Sequence, residues 1–167
     1  EPLYLDIVAS LANHLGKDND EAVEFLCRDS AMIGDDERFL PEPVGSWSTH
    51  VKTWTVRPHP ALLVLRYEDM AADPEATFGK VARFLNLDRS PEQIRKAIDF
   101  TSFDRFKAEE AEKGFKERAA HSESFFRKGK AGSWREELTE AQVQRIVECH
   151  AEQMRRFGYL AADGSPA

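Results

Sequence analysis

Within 167 residues only one stretch reads as a β-strand. Ala61 to Tyr67, written ALLVLRY, is a short apolar run placed just after Pro58 and Pro60. Continuous apolar character of this length suits a strand covered on both faces, as in a parallel sheet. One strand makes no sheet. Its neighbours must come from another chain or from residues outside this sequence, so the chain is expected to be helix-rich with one clear strand.

The rest of the sequence is punctuated for helices. Asp73-Pro74 marks a helix start, with proline at the first helical position, where its missing N–H costs nothing. Phe78, Val81, Ala82 and Leu85 then fall on one face. Ser90-Pro91-Glu92-Gln93 reads as a capping box, followed by Ile94, Ala97 and Ile98 as its apolar stripe. Thr139 and Gln142 form a second box. Val143, Val147, Met154 and Phe157 make the stripe that follows, and Gly158 is placed to end the helix. Glu109 to Ser124 is charged and small, which predicts an exposed helix or a loop. The residues after 160 are expected to fray.

Composition removes several function classes. A charge of −7 argues against a general nucleic-acid binder, whose footprint would be basic. Apolar runs fall short of the roughly 18 residues a membrane span needs, and no secretory-leader pattern opens the chain. Eleven Phe and three Trp supply the bulk for a packed core. The two cysteines, Cys27 and Cys149, stand in no metal or redox spacing and fit a reducing cytoplasm as packing residues.

Against that acidic background, residues 125–135 reverse the sign. They read FFRKGKAGSWR, with four cations, no acid, two glycines and three aromatics. Glycines let the backbone approach a ligand and expose successive N–H groups to an anion. Arg127 can grip a phosphate through two N–H bonds, and Lys128 supplies a point charge. A solvated basic turn between two helices would have the same composition. The spacing is not G-x-x-x-x-G-K-S/T, so a Walker-type phosphate loop is not indicated.

Four words in the chain, taken in order, resemble the cytosolic-type sulfotransferase family. Arg127-Lys128-Gly129-Lys130-Ala131-Gly132-Ser133-Trp134 matches its R-K-G-x-x-G-x-W signature. Gly45-Ser46-Trp47 with His50-Val51-Lys52 and Trp54 is similar to its G-S-W-x-x-H-V-K-x-W segment. Tyr67-Glu68-Asp69-Met70 and Thr101-Ser102-Phe103 match its Y-E-D-M/L and T-S-F elements. The likeness runs over roughly residues 5–158.

The resemblance implies transfer of a sulfuryl group from 3′-phosphoadenosine 5′-phosphosulfate (PAPS) to a hydroxyl or amine, leaving the bisphosphate PAP. It implies an α/β fold, the sulfotransferase form of the P-loop-containing nucleoside triphosphate hydrolase-like class. Residues 1–160 would be the C-terminal part of a single such domain. By the same likeness Arg127, Lys128 and the Gly129 backbone would bind the 3′-phosphate, and Tyr67 would hydrogen-bond the adenine. Thr101 and Ser102 would lie near the purine, Phe103 would stack on it and Phe126 would line the pocket. Ordinary core packing would equally account for Phe103 and Phe126, and a core-edge tyrosine for Tyr67.

Asp6 to Ser10 matches the end of the family's R-N-P-x-D-V-x-x-S word, with Pro2 at the arginine position, so Ser10 is retained as a further candidate ligand. The family's P-K-S-G-T-T-W motif, which binds the 5′-phosphosulfate, and its catalytic histidine have no counterpart here. His50 follows the G-S-W word and reads as a helix-packing residue. No catalytic residue is therefore assigned, and the chain alone is expected to be inactive. The implied partners are a small-molecule, carbohydrate or lipid acceptor, with no metal, and a homodimer is left open. A rival reading is a non-enzymatic helical module that binds a protein or a nucleotide.

Overall fold

The structure is a computed structural model that describes residues 8, 11–12, 16–34, 40–116, 118, 122, 124–126, 128–129 and 131–167. The chain divides into two compact units, residues 1–58 with 132–167, and residues 59–131.

The first unit is built on helix α8 (Glu140–Arg156), against which α1 (Asn19–Cys27) and α2 (Trp47–Thr55) pack. Thr139 opens α8 with the expected capping box. Its hydroxyl accepts the Gln142 N–H at 3.3 Å, and the Gln142 side chain accepts the Thr139 N–H at 2.9 Å. Thr139→Ala is expected to destabilise the unit by about 1 kcal/mol, read as a lower denaturant midpoint in Trp fluorescence. An unchanged midpoint would mean the cap is not formed in solution.

The buried line of α8 is Ile146, His150, Gln153 and Met154. It packs with Val8, Val23, Trp134, Tyr159 and Leu160. Val143, Val147 and Phe157 flank this line half-buried, so the expected stripe is rotated toward its edge. Gly158 takes φ 72° and stops the helix as predicted. Beyond it the Ala161 N–H donates to the Ser165 carbonyl and the Ala167 N–H to the Tyr159 carbonyl.

The G-S-W word has an architectural task in this unit. Gly45 turns the chain at φ 68°, and Ser46 caps α2 by accepting the Thr49 N–H at 3.2 Å. Both Ser46 and Thr49 hydroxyls donate to Asp29, at 2.6 and 2.7 Å. Trp47 meets the His150 ring edge-on at 5.5 Å. His50, expected to pack, is exposed on α2 and lies beside the exposed Trp54.

The single sheet among the described residues is not the one expected. It joins β1 (Met32–Ile33) to β2 (Glu42–Pro43), antiparallel, with Met32 opposite Pro43. The run at 61–67 forms no strand: residues 62–66 pair with nothing in a ladder, and Tyr67 is the first residue of helix α3 (Tyr67–Ala72). Strand pairing is non-local, so an apolar run becomes a strand only where a neighbour offers its edge. Val64 and Leu65 are left exposed.

In the second unit α3 leads into α4 (Pro74–Phe84), capped by Asp73 as predicted, and then α5 (Pro91–Phe100) with its Ser90–Gln93 box. Phe78, Val81, Ile94 and Ile98 face an open, largely apolar groove of about 440 Å³. Next comes α6 (Phe103–Lys113), which takes up the first part of the charged segment as a helix. A four-residue helix α7 (Trp134–Glu137) returns to the first unit, with Trp134 buried in that unit's core.

Candidate functional site

Helix α6 is the platform. Ser102 is its N-cap residue, and Phe103, Phe106 and Glu110 follow at i, i+3 and i+7 relative to Phe103, which places them on one face. Five phenylalanines gather there. Phe126 lies parallel to Phe106 at 5.6 Å and edge-on to Phe103 at 5.9 Å, while Phe115 meets Phe125 at 4.6 Å and Phe126 at 5.2 Å. Edge-to-face and offset pairs at these distances each add about 0.5–1.5 kcal/mol beyond area burial.

Glu110 holds the chain that leads into the basic segment. Its carboxylate accepts the Phe125 N–H at 2.6 Å, the Phe126 N–H at 2.9 Å and the Ser124 hydroxyl at 2.9 Å. The Phe125 N–H, then the Phe126 N–H, the Ser124 hydroxyl and the Arg118 charge hold this carboxyl below the usual carboxylate range against its desolvation. Arg118 in turn donates to the Ser122 carbonyl.

Gly129 meets α6 at its other end. It adopts φ 62°, a left-handed conformation that favours glycine. A Cβ at this position would lie 2.5 Å from the Phe103 ring. The Gly129 carbonyl accepts the Tyr67 hydroxyl at 3.3 Å. Lys128, between the two fastened points, is exposed. Lys107 adds another cation, its ammonium 5.7 Å from the centre of the Phe103 ring.

Tyr67, Gly129, Phe103 and Phe126 are thus brought into one chain of contacts. Thr101 and Ser102 sit in the turn just before Phe103; the Thr101 hydroxyl donates to the Ala97 carbonyl at 2.9 Å, closing α5. Arg127 and Ser10 lie outside the described residues. Sequence reasoning missed Phe106, Phe115 and Glu110. The signal for two of them was the Phe103–Phe106–Glu110 spacing, hidden in a segment whose charge resembles a loop.

Comparison with known proteins follows this geometry. The sulfotransferase domain model matches residues 12–158. The chain is 35% identical over 125 residues to rat "Sulfotransferase 1 family member D1", covering 71% of this chain and 42% of that protein. It is 31% identical over 153 residues to "Cytosolic sulfotransferase 17" of Arabidopsis thaliana, covering 86% and 42%. The chain therefore spans less than half the length of these curated relatives. Mouse sulfotransferase SULT7A1, solved in complex with PAP, superposes with a TM-score of 0.68 at 22% identity, over 91% of this chain and 56% of that one. That likeness concerns the fold and is consistent with a sulfotransferase fold, here helix-rich with a short two-stranded sheet. With the domain model spanning most of its length, the chain belongs to the sulfotransferase family.

Proposed function

We propose that this chain carries the 3′-phosphate and adenine recognition of a PAPS-dependent sulfotransferase. The observation that carries the reading is the seat of Gly129: left-handed, packed on Phe103 and tied by its carbonyl to Tyr67. A backbone so placed, preceded in sequence by Arg127 and Lys128, can offer N–H groups and positive charge to one anion. Phe103, with Thr101 and Ser102 ahead of it, and Phe126 would receive the purine. Ser10 would add a ligand from the N-terminal stretch.

In the reaction the acceptor oxygen or nitrogen bonds to sulfur as the sulfur–oxygen bond to the nucleotide phosphate breaks, and the acceptor's proton passes to a base. PAP leaves. None of the five histidines matches the family's base, and His150 is buried against Trp47 and Ser48. The base and the groups at the 5′-phosphosulfate would therefore come from outside these residues, and this chain alone would show no turnover. The acceptor is a small molecule, carbohydrate or lipid bearing a hydroxyl or amine.

Calorimetric titration of PAP and of 5′-AMP tests the reading. PAP is expected to bind more tightly, and Lys128→Ala to weaken PAP by about 10- to 100-fold, the worth of a charge-assisted contact. AMP should be nearly indifferent to that change. Equal affinity for the two nucleotides would sink the reading. It would favour the second one, a non-enzymatic helical module, to which the apolar groove between α4 and α5 lends its own support.

A further inference from the structure

We infer that Glu110 is the positioning residue of the phosphate-binding segment, a role that rests on the function proposed above. The segment is fastened to one helix at two points. Glu110 grips residues 124–126 through two backbone N–H groups and a hydroxyl, at 2.6–2.9 Å. Two helical turns away, Phe103 packs under Gly129. At 1.5 Å rise per residue these points stand about 10 Å apart along the axis. Arg127 and Lys128 fall between them in sequence.

A strap held at one end swings; held at both, Lys128 has a defined place before a ligand arrives. Such preorganisation raises affinity by removing the entropy of ordering the loop on binding. Glu110 is suited to this because an ionised carboxylate accepts N–H bonds more strongly than a neutral group. Its donors and the Arg118 charge keep it ionised. A negative charge near a phosphate site would ordinarily oppose binding. Here its oxygens are already engaged by Ser124, Phe125 and Phe126, so it acts on the strap's backbone and touches no ligand.

The test uses this chain with Glu110→Ala and Glu110→Gln. In the alanine variant the Phe125 and Phe126 amides should exchange with solvent at least about tenfold faster, and PAP affinity should fall about tenfold. Affinity for 5′-AMP, which meets only the Phe126 end of the strap, should fall less, so the PAP-to-AMP ratio drops. Glutamine retains one acceptor oxygen but turns an N–H toward the remaining donors, so it should restore only part of the ratio; it also serves if the alanine variant does not fold. An unchanged PAP-to-AMP ratio in both variants overturns the inference, even if exchange accelerates. Absence of PAP preference in the unmodified chain overturns the functional reading instead, and the two failures are told apart by that control.

Discussion

Replacing Gly129 with alanine is expected to cost the second unit about 2–5 kcal/mol and to weaken PAP binding at least about tenfold. Two separate penalties combine. An L-residue at φ 62° carries roughly 1–2 kcal/mol of backbone strain. A Cβ 2.5 Å from the Phe103 ring must also push that ring or the strap aside, and overpacking of this kind costs about 1–3 kcal/mol. Movement of either one disturbs the Tyr67 bond to the Gly129 carbonyl. Chemical denaturation and calorimetry on the same preparation would measure both effects. Phe103→Leu in the alanine background separates them, because a smaller, pliable side chain relieves the overlap but not the strain. A Gly129→Ala protein with unaltered stability and affinity would show that the glycine is not packed on the ring in solution.

The second large effect is a loss of stability in acid that originates at His150. This imidazole is 1% exposed, accepts or donates to the Ser48 hydroxyl at 2.8 Å through Nδ1, and has the Cys27 thiol 3.8 Å from Nε2. Burial, with help from the Arg145 charge, lowers its pKa from 6.5 to about 4, and Asp29 pulls only weakly the other way. The same environment pushes the Cys27 thiol up to about 12, by burial first and then by a hydrogen bond with the free Cys149 thiol, so the cysteine stays protonated and cannot charge the histidine. Because the unfolded chain takes up this proton near 6.5 and the folded one only near 4, the contribution is present above pH 6.5 and is lost as pH falls toward 4. It is worth at most about 3 kcal/mol. Asp29 and Glu24, both held below their ordinary values, lose stability in the same direction but at lower pH, leaving the interval from about 6.5 to 4.5 to the histidine. Denaturant unfolding across that interval should show a falling midpoint in the natural chain. In His150→Gln, which keeps polar atoms toward Ser48 but does not titrate, the curve should be flat. Parallel slopes in the two proteins would place the acid sensitivity elsewhere.

The parts of this fold that could be read from sequence are those that depend on a few neighbouring residues. Asp73, Ser90, Thr139 and Gly158 each fix a helix end through bonds made within one turn, and all four stand where expected. The run at 61–67 misled for the opposite reason. Its apolar residues announce burial, but whether burial takes the form of a strand depends on an edge supplied by other elements, and Tyr67 instead begins a helix. In the candidate site, the glycine and aromatics of the basic segment were legible as a cluster because they stand close together in sequence among cations. Glu110 was not, since an acid near a basic segment looks like a solvated surface charge until its partners, 14 to 16 positions on, are in view. Phe106 and Phe115 were obscured in the same way, being lone aromatics in a charged stretch.

The central claim, that the strap on α6 recognises the 3′-phosphate, is tested most directly by following backbone amide resonances of the chain as nucleotide is added. PAP is expected to move the amides of Phe126, Lys128 and Gly129 in a saturable way, and 5′-AMP at equal concentration to leave Lys128 nearly unmoved while still shifting those near Phe103 and Phe126. Shifts confined to other parts of the chain, or identical shifts with the two nucleotides, would contradict it.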